Sequence, residues 1–109
     1  MLEVKGRIWV NGSRGTYLGL GRLSLLEKIR EHGSISGAAR SIRMSYKKAW
    51  KMVDTMNRQS KKPLVIRAPG GKGGGGTIVT AEGEKAIRYF KKVLAEFDKF
   101  CKKHSVRKG

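Results

Sequence analysis

From Ser45 to Lys51 the chain reads Ser-Tyr-Lys-Lys-Ala-Trp-Lys, three lysines and two aromatic rings in seven residues. On a helix, Tyr46, Lys47, Trp50, Lys51 and Asp54 share the outward side. Lysines placed this way reach phosphates or guanine edges, and aromatic rings contact sugars and thymine methyl groups. Ser45 is a residue type that caps such a helix. Helix N-termini favour acids, yet Lys47 and Lys48 stand in this first turn. Alone, that arrangement costs roughly a few tenths of a kcal/mol. A phosphate bound there offsets the cost, held by backbone N–H groups and both lysines. The alternative is a solvated helix whose Trp50 packs into the core.

The second candidate is Gly70-Gly71-Lys72-Gly73-Gly74-Gly75-Gly76. Gly71, Gly73 and Gly76 satisfy G-x-G-x-x-G, as any glycine run would. A dinucleotide site needs a strand before that motif and a helix after it, and here a strand is expected to follow. A Walker A loop fails too. Ile66 stands where its first glycine belongs, and Gly73 stands where Ser or Thr must follow the lysine. Bare backbone suits a wing instead, because it approaches a DNA backbone closely and offers N–H groups to phosphate. Arg67 and Lys72 add charge at its base and tip. The alternative is a hairpin tip that touches nothing.

Catalytic sets are missing from the pattern. His32 and His104 stand apart, and no carboxylate pair, Ser-His-Asp or Cys-His arrangement is readable. Cys101 reads as a small core residue, and it has no second cysteine for a disulfide. Metal-ligand spacing is absent as well. No enzyme activity, metal or cofactor is therefore expected.

These residues need elements to hold them. Val4 to Val10 reads as a strand, Asn11 to Gly15 as a turn, and Thr16 to Leu18 as a returning strand. A first helix runs from about Arg22 to His32 with Leu23, Leu26 and Ile29 as its stripe, and Gly33 ends it. A short second helix is capped by Ser36 and turns Ala38, Ala39 and Ile42 inward. The third helix starts after Ser45 and buries Ala49, Val53 and Met56. Ala38 and Ala39 leave room for two helices to cross closely, which is the helix-turn-helix pattern. Leu64 to Ile66 and Thr77 to Val79 form a hairpin around the glycine loop.

A fourth helix runs from about Ala81 to Lys103, with Thr80 as its cap. Ile87, Phe90, Leu94, Phe97 and Cys101 recur along it at helical spacing. Ala86, Tyr89, Val93 and Phe100 make a ridge beside the first. So wide an apolar face exceeds what one small core needs. One ridge is expected to meet the domain and the other a second copy, with Tyr89, Val93, Phe97, Phe100 and Cys101 as dimer candidates. The fold class is α+β and mainly helical: a winged helix-turn-helix with a short N-terminal hairpin and a long C-terminal dimerisation helix.

The chain of 109 residues carries 25 Lys and Arg against eight Asp and Glu, a net charge of +17. So large an imbalance repels itself in a compact monomer and points to a polyanionic partner. Between His32 and Ala81 ten cations face Asp54 alone. A second basic cluster, Lys99, Lys102, Lys103, Arg107 and Lys108, lies near Gly109. An apolar share of 39% still allows a core, so the basicity does not mean disorder. The length fits one domain over 1–109: N-terminal strands over 1–19, helix-turn-helix and wing over 20–80, and dimerisation helix with basic tail over 81–109. No signal peptide or membrane-length apolar run is visible, so a soluble cytoplasmic protein is expected. Double-stranded DNA is the favoured partner. A non-specific architectural protein or an RNA-binding protein would share the charge.

Several of these residues form a recognisable set: Gly33-Ser34-Ile35-Ser36, Ala38-Ala39, Ser45-Tyr46-Lys47, Ala49-Trp50, Met56-Asn57 and the Gly70–Gly76 run. Together they resemble the N-terminal DNA-binding domain of ModE-type molybdate-responsive transcriptional regulators, similar in plan to LysR-type regulators. The likeness covers roughly Arg22 to Phe90. It implies a dimer on a two-fold operator, with Ser45, Tyr46, Lys47 and Trp50 on the recognition helix and Gly71 to Gly76 in the wing. Arg43 stands in the helix-turn-helix turn, where related sequences often carry glycine; a left-handed backbone there costs arginine about 1 kcal/mol. Full-length regulators of this kind carry C-terminal molybdate-binding domains, whereas this chain stops straight after its fourth helix. Direct molybdate binding by the chain is therefore not expected.

Overall fold

A computed structural model of the chain describes residues 1–68 and 76–106. The chain begins with a segment that forms no sheet. Strand β1 covers Val10–Gly12 and pairs antiparallel with β2, Gly15–Leu18, across a turn in which Gly15 takes φ +100°. The expected strand over Val4–Val10 is thus corrected to its last residue and two beyond. Residues before Val10 lie along the C-terminal helix instead. The Val4 N–H donates to Ser105 Oγ at 2.9 Å, and Leu2 and Val106 exchange backbone bonds of 2.9 and 2.8 Å. Gly6 faces the Phe97 ring. A β-branched pattern reports a half-buried surface, and here a helix supplies that surface rather than a strand.

Helix α1, Leu20–His32, starts two residues before the expected Arg22, behind Gly19. Its Leu25, Leu26 and Ile29 are fully buried. Gly33 ends it at φ 72°, donating its N–H to the Ile29 carbonyl at 2.8 Å, the left-handed stop that glycine makes easy. Helix α2 covers Ile35–Ser41. Its cap is Ser34, not Ser36: Ser34 Oγ accepts the Gly37 N–H at 3.0 Å. Ser36 falls inside the first turn, where its side chain is exposed. Ala38 and Ala39 are buried where α2 meets its neighbours, as their size suggests, while Ile42 is the C-cap and only half-buried.

The turn between α2 and α3 puts Arg43 at φ 55°. Met44 N–H donates to the Ala39 carbonyl at 2.9 Å and draws the chain tightly back. Helix α3, Tyr46–Arg58, opens with Ser45 Oγ accepting the Lys48 N–H at 3.1 Å. Strands β3, Val65–Ala68, and β4, Gly76–Val79, pair antiparallel with Val65 opposite Val79 and Ala68 opposite Gly76. Thr77 N–H donates to the Gly33 carbonyl at 2.7 Å, which ties this hairpin to the end of α1.

Helix α4, Ala81–His104, is capped by Thr80, whose Oγ1 accepts the Gly83 N–H at 3.1 Å and donates to the Pro63 carbonyl at 2.7 Å. Gly83 is needed for close approach: a Cβ there would collide with the Leu64 carbonyl and the Val79 side chain. Ala86, Ile87 and Phe90 complete the core with Leu64, Ala49 and Met56. The architecture is α+β and mainly helical, a winged helix-turn-helix.

Candidate nucleic-acid interface

Helix α3 turns Ala49, Val53 and Met56 inward. At about 100° per residue, Lys47, Lys51 and Arg58 stand on the opposite side, with Lys48 beside them. All four side chains are exposed. Asp54 is the acid of this helix, and its carboxylate pairs with Arg58 at 2.9 Å. Arg40, Arg43, Lys47, Lys48, Lys51 and Arg67 form no ion pair among the described residues. Two acids elsewhere are engaged away from this face: Glu27 binds Lys91 at 2.6 Å and Glu84 binds Arg30 at 2.6 Å. The positive charge of the helix-turn-helix is therefore left uncompensated and turned outward.

Tyr46 and Trp50 occupy the side of α3 that faces the β3–β4 hairpin. They are 53% and 45% exposed, so Trp50 is not a core residue. With Ser34, Ile35, Ile66, Arg67 and Thr77 they line a groove of about 300 Å³ between the helix-turn-helix and the hairpin. Its rings and Arg67 offer an apolar and cationic wall to anything lying along α3.

Two amides hold this face in place. Asn57 Oδ1 accepts the Leu64 and Val65 N–H groups at 2.8 and 3.3 Å, and its Nδ2 donates to the Val65 carbonyl at 2.9 Å. Gln59 Oε1 accepts the Arg14 N–H at 3.1 Å, and its Nε2 donates to the Thr16 carbonyl at 3.0 Å. Arg22 braces the helix from α1, donating from its guanidinium to Thr55 Oγ1 at 3.3 Å. Burial pulls the Arg22 pKa below its ordinary value.

The expected site residues divide clearly. Ser45, Tyr46, Lys47, Lys48, Trp50 and Lys51 come together on α3. Of the expected wing, Arg67 lies exposed in β3 and Gly76 opens β4. Gly71, Lys72, Gly73, Gly74 and Gly75 lie outside the described residues. On α4, Tyr89 and Phe100 are 52% and 53% exposed, and Val93 is half-buried. Phe97 and Cys101 are half-buried and line a cleft with Val4 and Gly6 of the N-terminal segment. The roles of Ser34, Asn57 and Gln59 were not expected. An amide near a helix end, ahead of a strand whose first N–H groups need partners, was the available signal for Asn57.

Residues 20–84 match the model of the bacterial regulatory helix-turn-helix proteins of the lysR family. The molybdenum transport protein ModE of Azotobacter vinelandii is 42% identical over 83 residues, covering 76% of this chain and 31% of that protein. The molybdenum-pterin-binding protein MopB of Rhodobacter capsulatus is 44% identical over 92 residues, 78% of this chain and 34% of that protein. The DNA-binding transcriptional dual regulator ModE of Escherichia coli K12 is 46% identical over 69 residues, 63% of this chain and 26% of that protein. The chain thus spans about a third or less of these relatives. No described helix is long and apolar enough to cross a membrane. The matched family is one of regulators, not of enzymes. Its model takes in the whole of α1, α2, α3 and the β3–β4 hairpin, more than half of the chain, and this chain belongs to the lysR family of bacterial regulatory helix-turn-helix proteins.

Proposed function

We propose that this chain binds double-stranded DNA in a sequence-reading manner, as a homodimer, and that it serves transcriptional regulation. The observation that carries the reading is the outward face of α3. Lys47, Lys48 and Lys51 stand there with no acidic partner among the described residues, flanked by the exposed rings of Tyr46 and Trp50. A B-DNA major groove about 12 Å wide admits one helix, and these side chains are the first to meet base edges and phosphates. The name of the Escherichia coli relative, a DNA-binding transcriptional dual regulator, supports the same reading.

Dimerisation rests on α4. Tyr89, Val93 and Phe100 follow one another along one side of the helix, next to the ridge that enters the core. Two exposed aromatic rings on a long helix fit a second copy of the same helix. Phe97 and Cys101 then act beneath that surface, as its support from within the chain.

The test compares affinities for a selected operator and for random duplex DNA. Lys47→Ala lowers the preference between them, while Lys103→Ala weakens both alike. If both substitutions weaken both DNAs by one factor, readout through α3 is wrong and a non-specific architectural role replaces it.

A further inference from the structure

The N-terminal hairpin is rooted in the core by Leu18 of β2, with Val10 and Tyr17 packed against it, but its tip reaches beyond the core. Its tip, from Asn11 to Gly15, is exposed at every residue. Yet it is fixed rather than left loose, because Gln59 at the end of α3 binds it through both amide atoms. Tyr17 of β2 is half-buried against the core, and burial together with Glu82 pushes its pKa up. The turn after α3 includes Ser60, whose hydroxyl donates to the Met56 and Asn57 carbonyls. That same turn carries Lys61 and Lys62, both exposed. Arg14, Lys61 and Lys62 form no ion pair among the described residues.

The direction of attachment matters more than the charge. Asn57 and Gln59 are two residues apart, about 200° around the helix. Asn57 fastens the β3–β4 hairpin on one side, and Gln59 fastens the β1–β2 hairpin on the other. The outward row of Lys47, Lys51 and Arg58 lies between them. A helix with its side chains is about 10–12 Å across and fills a major groove. What flanks it on each side meets one of the two phosphate backbones.

We infer that the β1–β2 hairpin is a second wing, which sets Arg14 and the neighbouring Lys61 and Lys62 against the phosphate backbone opposite the one reached by the β3–β4 hairpin. This rests on the DNA-binding reading above. The ligand is the sugar-phosphate backbone of duplex DNA, contacted without reading its sequence. The hairpin enters as a preordered element, so binding loses little of its freedom.

The experiment measures binding of the full chain to a pool of random duplex DNA across a salt series. Each phosphate contact contributes a slope of about 0.9 in log affinity against log salt concentration. Arg14→Ala is expected to lower the slope by about 0.9, and to weaken binding roughly fivefold at physiological salt. Arg14→Lys keeps most of both. Lys92→Ala, which removes one charge from the solvent side of α4, leaves the slope unchanged. If Arg14→Ala and Lys92→Ala behave alike while Lys47→Ala still weakens binding, the second wing is wrong and the reading through α3 stands. If the unaltered chain binds no duplex at all, both fall.

Discussion

Asn57 and Gln59 leave opposite sides of α3 and fasten a hairpin each. Asn57 holds the edge of β3 with bonds of 2.8, 2.9 and 3.3 Å, and Gln59 holds Arg14 in the turn and Thr16 in β2 of the N-terminal hairpin with bonds of 3.1 and 3.0 Å. Both amides use donor and acceptor together. The helix carrying the lysines is thereby the one fixed against both flanking elements. A recognition helix held this way presents its outward row with little freedom left to lose on binding.

Asn57→Ala removes three bonds and leaves half-buried backbone groups of Leu64 and Val65 without partners. The expected loss of stability is about 1–3 kcal/mol. Asn57→Asp keeps the acceptor but not the donor, and falls between Ala and the natural residue. Urea denaturation of the three proteins gives this order.

Gly83→Ala puts a methyl group against the Leu64 carbonyl and the Val79 side chain at the start of α4. A backbone carbonyl cannot swing aside as a flexible side chain can. The substitution is expected to cost about 1–3 kcal/mol, read as a lowered Tm. Gly6→Ala is the comparison, since its neighbour is the outer edge of the Phe97 ring, which can shift.

Phe100→Glu and Tyr89→Glu place charge in the exposed ridge of α4, where Phe100 stacks with Phe97 at 6.3 Å and tilts against His104 at 4.6 Å. Both variants are expected to fold, because neither ring is buried in the chain's own core. Analytical ultracentrifugation should show a dimer for the natural chain and a monomer for the double variant. A dimer that survives both charges would move the interface elsewhere.

Lys51→Ala, like Lys47→Ala, should reduce discrimination between operator and random duplex. A good two-point contact to a guanine contributes about 1–3 kcal/mol of discrimination. Fluorescence anisotropy on paired DNAs measures it. Lys61→Ala should instead weaken both DNAs by a similar factor and lower the salt slope.

Much of this face could be read from the sequence because its signals are local. Ser45, Thr80 and Gly33 cap or stop helices through bonds to residues within four positions. The row of lysines on α3 follows from helical spacing alone. Arg43 does take the left-handed backbone expected of a glycine site. What escaped depends on partners distant in sequence. Val4 to Trp9 has the composition of a strand, but its partner is α4, about a hundred residues on, where Ser105 waits for the Val4 N–H. Ser34 and Ser36 are equivalent by type, and the position of the αL residue Gly33 selects Ser34 as the cap. Nothing local marks Gln59 as a bridge to Arg14 and Thr16, 43 to 45 residues earlier.

The most direct measurement is in-vitro selection by this chain from random duplex DNA at physiological salt. Recovery of an inverted repeat is the expected result, with half-sites spaced by about one helical turn or a multiple of it. Tight binding that falls steeply with salt and yields no motif would contradict sequence reading through α3.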